Sequence, residues 1–278
     1  MKLHLTTLSE NTAGAGHLLG EWGLSILVET DETNILFDAG QGASASHNAD
    51  ILGVDLSKVD RIVLSHGHYD HSGGLRHVLR KIKKEVEIIA HPDIWQAKYS
   101  RREQNYRYIG IPFQRQELEN LGARFRLTTE PIKITDSVMT TGEIPMETAF
   151  EGIPPDRFYI QSDGRWQPDS LLDDLALIIN TSQGLLVILG CAHRGMINTL
   201  QHARKLTGAQ KIHMVVGGCH LVDAPRERIQ ATIASLKELA VEKTGVSHCT
   251  SLLAAATMAH ELGERFFFNT AGTSIDLP

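Results

Sequence analysis

Apolar residues recur along the chain in short runs and in helical stripes. Residues 24–29 and 34–37 are rich in Leu, Ile, Val and Phe, and polar Thr30-Asp31-Glu32-Thr33 separates them. Such runs, bounded by turn-forming residues, predict strands. Asp38-Ala39-Gly40-Gln41-Gly42 then breaks the pattern. A short helix is predicted over 45–52 and a buried strand over 61–64. Over 73–82, Leu75, Val78, Leu79 and Ile82 share one helical face, and 86–90 reads as the next strand. In the second half, 175–180 and 185–189 predict a hairpin around Thr181-Ser182-Gln183-Gly184. A helix over 196–206, a strand over 211–216, helices over 225–240 and 251–261 and a strand over 265–268 follow. Pro225 suits a first helical turn. Strands and helices alternate twice in a similar order, which predicts an α/β sandwich of two related halves. No Pro/Gly/Ser-rich linker interrupts the chain, so 1–278 is read as one domain.

Residues 93–127 stand apart. From Lys98 to Arg126 there are seven basic residues, Arg101, Arg102 and Arg107 among them, against Glu103, Glu117 and Glu119. Trp95, Tyr99, Tyr106, Tyr108 and Phe113 are interleaved. This stretch reads as a cap-like insertion over a cleft. Arg pairs bidentately with phosphate or carboxylate and stacks on flat rings, so the segment points to an anionic ligand.

Composition narrows the function classes. The chain has 278 residues, 42% hydrophobic and 22% charged, enough to build a core and too apolar for disorder. Its longest apolar runs are strand-sized, far below the roughly 20 residues of a spanning helix, so no membrane role is expected. A net charge of −6 disfavours generic nucleic-acid binding. The first seven residues are too polar for the core of a signal peptide. Three Cys do not make a disulfide framework and fit a reducing, cytoplasmic compartment. Self-association into a homo-oligomer is left open.

The 14 His are the compositional excess that matters. His66-Gly67-His68-Tyr69-Asp70-His71 follows the apolar run 61–64. In extended chain, alternate side chains share a face, so His66 and His68 can meet one ion. Asp70 and His71, in the turn that follows, can face a second. Imidazole and carboxylate donors together suit zinc, iron or manganese.

His-x-His-x-Asp-His after an apolar strand resembles the metallo-β-lactamase superfamily. Five further landmarks narrow the resemblance: Glu21-Trp22-Gly23-Leu24-Ser25, Leu36-Phe37-Asp38-Ala39-Gly40, Leu189-Gly190-Cys191-Ala192-His193-Arg194-Gly195, Gly217-Gly218-Cys219-His220-Leu221 and Ser247-His248-Cys249-Thr250. In that order they resemble a branch of proteins similar to 7,8-dihydropterin-6-methyl-4-(β-D-ribofuranosyl)-aminobenzene-5′-phosphate synthase. The resemblance spans the whole chain and implies a four-layer αββα sandwich with two divalent ions, zinc first, iron or manganese as alternatives. It places His66 and His68 at the first ion, Asp70 and His71 at the second, and His220 as the late ligand.

Two family positions do not transfer. The turn that usually supplies a third His reads Gln167-Pro168-Asp169-Ser170-Leu171-Leu172-Asp173-Asp174, and the place of the bridging Asp is taken by Gly190-Cys191-Ala192-His193. Cys191 or His193 can fill the gap. His193 is preferred, because imidazole is the commoner ligand, and Asp174 or Asp173 is an alternative carboxylate. Trp22 stands where the branch often has His, and it is expected to alter ligand stacking. The implied activity is hydrolysis of an anionic small molecule, with Asp70 orienting water, His193 or His248 donating a proton and Arg194 neutralising charge. A pterin-related synthase or transferase on the same residues is the alternative. A flavodiiron-type redox role lacks a flavin-binding segment.

Overall fold

The computed structural model describes residues 2–278. The first half runs β1 (Leu3–Ser9), β2 (Ser25–Thr30), β3 (Asn34–Phe37), α1 (Ser44–Leu52), β4 (Arg61–Val63), α2 (Tyr69–Ser72), α3 (Leu75–Ile82) and β5 (Val86–Ala90). It continues with β6 (Ala97–Arg102), β7 (Asn105–Tyr108), α4 (Arg115–Asn120) and β8 (Ala123–Leu127). The second half holds β9 (Val138–Thr140), β10 (Phe158–Ser162), β11 (Arg165–Pro168), β12 (Ala176–Thr181), β13 (Gly184–Leu189), α5 (Met196–Thr207) and β14 (Ile212–Gly218). It closes with α6 (Arg226–Glu238), β15 (Lys243–Ser247), α7 (Leu252–Leu262), β16 (Phe266–Phe268) and β17 (Ser274–Leu277).

Two large sheets carry the molecule. One has the order β17-β1-β2-β3-β4-β5-β8 and the other β16-β15-β14-β13-β12-β9. Leu5, Ile26, Phe37 and Val63 of the first meet Leu177, Ile179, Leu186 and Val216 of the second in one buried cluster. The outer face of the first sheet packs on Ala45, Leu75, Val78, Leu79 and Leu118 of its helices. The outer face of the second packs on Ile197, Leu200, Ile233 and Met258. This is the αββα layering that the family resemblance implies. Strand runs buried on both faces, such as Gly184–Leu189, read as continuous apolar stretches for that reason.

The stretch 93–127 divides in two. Residues 115–127 belong to the main sandwich, because β8 pairs in parallel with β5. Its arginines, Arg124 and Arg126, alternate onto the exposed face. Only β6 and β7 stand off the core. They join β10 and β11 in a separate four-stranded sheet, order β11-β10-β6-β7. β10 and β11 were not predicted, because most of their positions are exposed and leave little apolar signal. β1 and β17 were also missed: β1 interleaves its buried Leu3, Leu5 and Leu8 with His, Thr and Ser, and β17 has no fully buried position.

Gly73 and Gly74 have ordinary helical φ values of −64° and −74°. They are required by close approach, not by a sharp turn. A Cβ would stand 2.1 Å from the Gln41 carbonyl oxygen at Gly73 and 1.9 Å from that of Ala39 at Gly74. Their bareness lets the start of α3 sit against the loop after β3.

Candidate metal centre

The His-rich loop leaves the C-terminal end of β4 and is fixed from below by Asp38, at the end of β3. Ser65 donates its backbone N–H to Asp38 Oδ1 and its hydroxyl to Asp38 Oδ2, each at 2.7 Å. The same hydroxyl lies 2.8 Å from His66 Nδ1. Asp38 Oδ2 also accepts from His71 Nδ1 at 2.6 Å, with both side chains fully buried. Burial opposes charge on His71, but Asp38 outweighs it and holds the imidazole up at about 9. Each contact uses a Nδ1 and turns the far side of the ring inward.

Two sets of donors converge there. His66, His68 and His193 form one, with ligand atoms all within 4.8 Å of one another. Asp70, His71 and His248 form another on the same criterion. His71 Nε2 lies 3.3 Å from His248 Nε2 and 3.2 Å from Cys191 Sγ, and Asp70 Oδ2 lies 3.3 Å from His248 Nε2. Burial depresses His66 and His193 well below the usual imidazole range and His68 to about 3, which leaves neutral rings, the form that binds cations. Burial works against the Asp70 carboxylate, but the bond to His248 and the neighbouring His residues overcome it, so the group stays ionised.

The cluster has unmet bonding capacity. His68 Nε2 and both ring nitrogens of His193 are buried without a hydrogen-bond partner among the described residues, as is His220 Nδ1. Buried polar atoms normally find partners, so these orphans fit a site built around cations. The backbone is strained here too. Asp38, Ala192, His220 and His248 all have φ between 44° and 59°, sparsely populated for residues with a Cβ.

Several expected residues take other places. His193 lies beside His66 and His68 in the first donor set. His248, expected as a proton donor, joins Asp70 and His71. His220 is half-buried beside His193, ring centres 4.1 Å apart, and shares a third donor set with Cys191 and His193. Asp174 belongs to none of these sets. It accepts the Arg194 backbone N–H at 2.9 Å, and burial raises its carboxyl to about 7. The Arg194 side chain bonds the carbonyl oxygens of Ile144 and Ser170, away from the cluster. Trp22 donates its indole N–H to Asp70 Oδ2 at 2.9 Å and packs edge-on against His248.

The cluster opens into a cavity of about 540 Å³. Its outer wall is the small sheet. Register pairs Ser100 with Arg107 and Arg102 with Asn105, and all four line the cavity. Arg101 points to the opposite face, where it bonds the Glu103 carbonyl and the Tyr159 hydroxyl. Arg157, just before β10, lines the cavity in its stead. Nothing in its sequence setting marked it, because the partner strand was itself invisible. Asp38, Asn11 and Lys98 were missed as contributors for the same kind of reason: each acts through residues distant in sequence.

The metallo-β-lactamase superfamily model matches residues 23–193, which include the His-rich loop and end on His193. The chain belongs to that superfamily. It is 34% identical over 274 residues to the 7,8-dihydropterin-6-methyl-4-(β-D-ribofuranosyl)-aminobenzene-5′-phosphate synthase of Methanocaldococcus jannaschii, covering 95% of this chain and 93% of that protein. It superposes on Tm1679, described as a metal-dependent hydrolase of the β-lactamase superfamily, with a TM-score of 0.85 and 27% identity over 99% of both chains. YhfI from Bacillus subtilis shares the fold at 12% identity and a TM-score of 0.60, again over 99% of both chains. As a superfamily member with this curated relative, the protein is an enzyme. No helix among the described residues is long and apolar enough to cross a membrane.

Proposed function

We propose that the protein is a metal-dependent hydrolase of an anionic, phosphorylated small molecule. The observation that supports this most is the pair of buried donor sets with orphaned ring nitrogens at the floor of an arginine-lined cavity. His66, His68 and His193 would hold one divalent ion, zinc first, and Asp70, His71 and His248 flank a second position. Bound there, such ions lower the pKa of water toward neutrality and polarise the oxygen under attack. Asp38 fixes the His71 ring through Nδ1. Asp70 stays a carboxylate and orients the attacking water by accepting its hydrogen. Arg102, Arg107 and Arg157 hold the anion on the outer wall, and Phe158 and Tyr69 flank it with apolar ring surface.

The test joins elemental analysis of protein purified without added metal to a panel of phosphodiesters, phosphomonoesters, lactones and β-lactams. The expected result is bound zinc and a preference for phosphorylated substrates. Arg102→Ala, Arg107→Ala and Arg157→Ala should each raise KM on the order of 10-fold or more, the scale of one charge-assisted bond, and Arg101→Ala should not. Equal turnover of neutral lactones, with no effect of these changes, would defeat the reading. The 34% identity to the Methanocaldococcus jannaschii enzyme supports a second reading, a pterin-related synthase on the same residues. Formation of a dihydropterin-linked product, with no hydrolysis of any panel member, would decide for it.

A further inference from the structure

A second cavity opens beside the first. It lies at the C-terminal ends of β15 and β16, next to the start of α7, and holds about 460 Å³. β14, β15 and β16 run parallel, and ligands of parallel sheets gather outside the carboxyl ends of the strands. Trp22, Val222 and His248 line both cavities, so the two share a wall. Trp22 is fixed in that wall by its indole bond to Asp70 and its edge-on contact with His248.

The two cavities differ in chemistry. The first holds the orphaned nitrogens of His68, His193 and His220 and three arginines. Among the described residues, no buried polar atom that lacks a partner belongs to the second, and no Lys or Arg lines it. Its buried polar side chains are used within the protein. Glu10 accepts the backbone N–H groups of His248 and Thr12, each at 2.7 Å. Asn269 donates to Ser247 Oγ and accepts from the Thr7 hydroxyl, each at 2.8 Å. Thr250 donates its hydroxyl to the Ser247 carbonyl oxygen at 2.7 Å. What remains for a ligand is hydrocarbon, from Trp22, Val222, Val246, Leu252, Ala255 and Phe268. The rim is apolar and open to water: Leu252 is 81% exposed and Phe268 52%. Such a surface favours an apolar occupant and would leave the donors and acceptors of a polar one unpaired.

We propose that this side cavity receives an apolar hydrocarbon substituent of the substrate, whose anionic head lies in the main cavity. The proposal rests on the anion-binding reading of the main cavity and adds the part of the molecule that lies beyond Trp22. The shared wall is what joins the two: a ligand held by Arg102, Arg107 and Arg157 has the side cavity next to it. The volume falls within the roughly 300–1,000 Å³ of small-molecule sites. Burial is non-directional and grows with apolar area, so length of the substituent, and not a particular polar pattern, sets its contribution.

The test titrates the purified protein with methyl-, butyl- and octylphosphonate by isothermal titration calorimetry. All three carry the same anionic head and differ only in their hydrocarbon. The expected result is binding that tightens on the order of 3-fold for each buried methylene, with an increasingly negative heat-capacity change. Two variants should flatten this dependence and leave methylphosphonate unaffected. Ala255→Phe fills the cavity, and Leu252→Asn combined with Phe268→Asn makes the rim polar at side chains too exposed to threaten the fold. Equal affinity for all three phosphonates overturns the apolar subsite and leaves the anion-binding reading standing. No binding by any of them overturns both. A length dependence that survives in the rim variant places the hydrocarbon elsewhere and overturns the assignment of the cavity. A dimer in analytical ultracentrifugation that the rim variant dissolves gives this face to a second copy of the chain, and overturns it as well.

Discussion

Both ring nitrogens of His193 are buried without a hydrogen-bond partner among the described residues, and the ring packs against His66, His68, Phe158 and His220. A buried polar group left unbonded costs about 1–3 kcal/mol. Removing it should therefore cost the metal-free protein nothing. His193→Leu is expected to unfold at the same temperature as the parent, or higher, when both are stripped with a chelator. With zinc added, the parent should gain stability and the variant should gain much less, because a cation that binds only the folded state stabilises it in proportion to its affinity. Differential scanning calorimetry with and without zinc separates the cases. An equal gain in both proteins would place His193 outside the donor set. At this scale the sequence was informative where chemistry and spacing coincide, as in His66 to His71. It was silent where a residue acts on a neighbour from another strand. Nothing around Asn11 or Asp38 announces that each fixes the ring orientation of a histidine brought to it by the fold.

Among the elements, the β6–β7 hairpin is tied to the His-rich loop by one buried cation. Lys98 Nζ donates to Asp169 Oδ2 at 2.8 Å and to Asp173 Oδ1 at 2.9 Å, and Lys98 is fully buried. Asp173 Oδ2 in turn accepts the Gly67 backbone N–H at 2.8 Å, between His66 and His68. Burial opposes the charge of every member. Lys98 overcomes it at Asp173, which falls below the usual carboxylate range, but not at Asp169, which rises above it. One cation thus serves Asp173 first. Asp173→Asn is expected to destabilise the protein by about 3–5 kcal/mol at pH 7, the scale for breaking a buried pair, and Asp169→Asn by clearly less. The sign with pH follows from the lowered Asp173. Its contribution is present above the unfolded value of 3.8 and is lost as pH falls through the folded value below it. Lys98→Met leaves two buried carboxylates together, so the stability gap between that variant and the parent should narrow as pH falls from 7 to 5. Urea unfolding across that range is the check, and parallel curves would show that the network is not buried in solution. The sequence reading placed Lys98 in a basic cap meant for substrate. Its charge is used inside the protein, where Asp169 and Asp173 meet it, while Arg102, further along the same strand face, lines the cavity.

Across the whole molecule, what was legible depended on burial. Strands sealed between layers, such as β3, β4, β12 and β13, announce themselves as apolar runs and were placed nearly residue for residue. The exposed sheet that makes the outer wall has no such pattern, and the cavity could not be drawn without it. The donor sets also draw on both halves, with His66 to His71 from one and Cys191, His193 and His248 from the other.

The first and last strands of the described structure lie side by side: β1 and β17 are antiparallel, with Leu3 opposite Leu277. The order in which the two halves are joined is therefore incidental to the architecture. A circular permutant, its ends fused through a short glycine linker and reopened after exposed Glu130 between β8 and β9, should fold. It should show the parent's circular dichroism and its affinity for zinc. Loss of zinc binding in a well-folded permutant would mean that continuity between β8 and β9 shapes the site. Such a chain would begin with the strands that present Cys191, His193 and His248 and carry the loop of His66 in its later half, a rearranged gene order for an unchanged constellation.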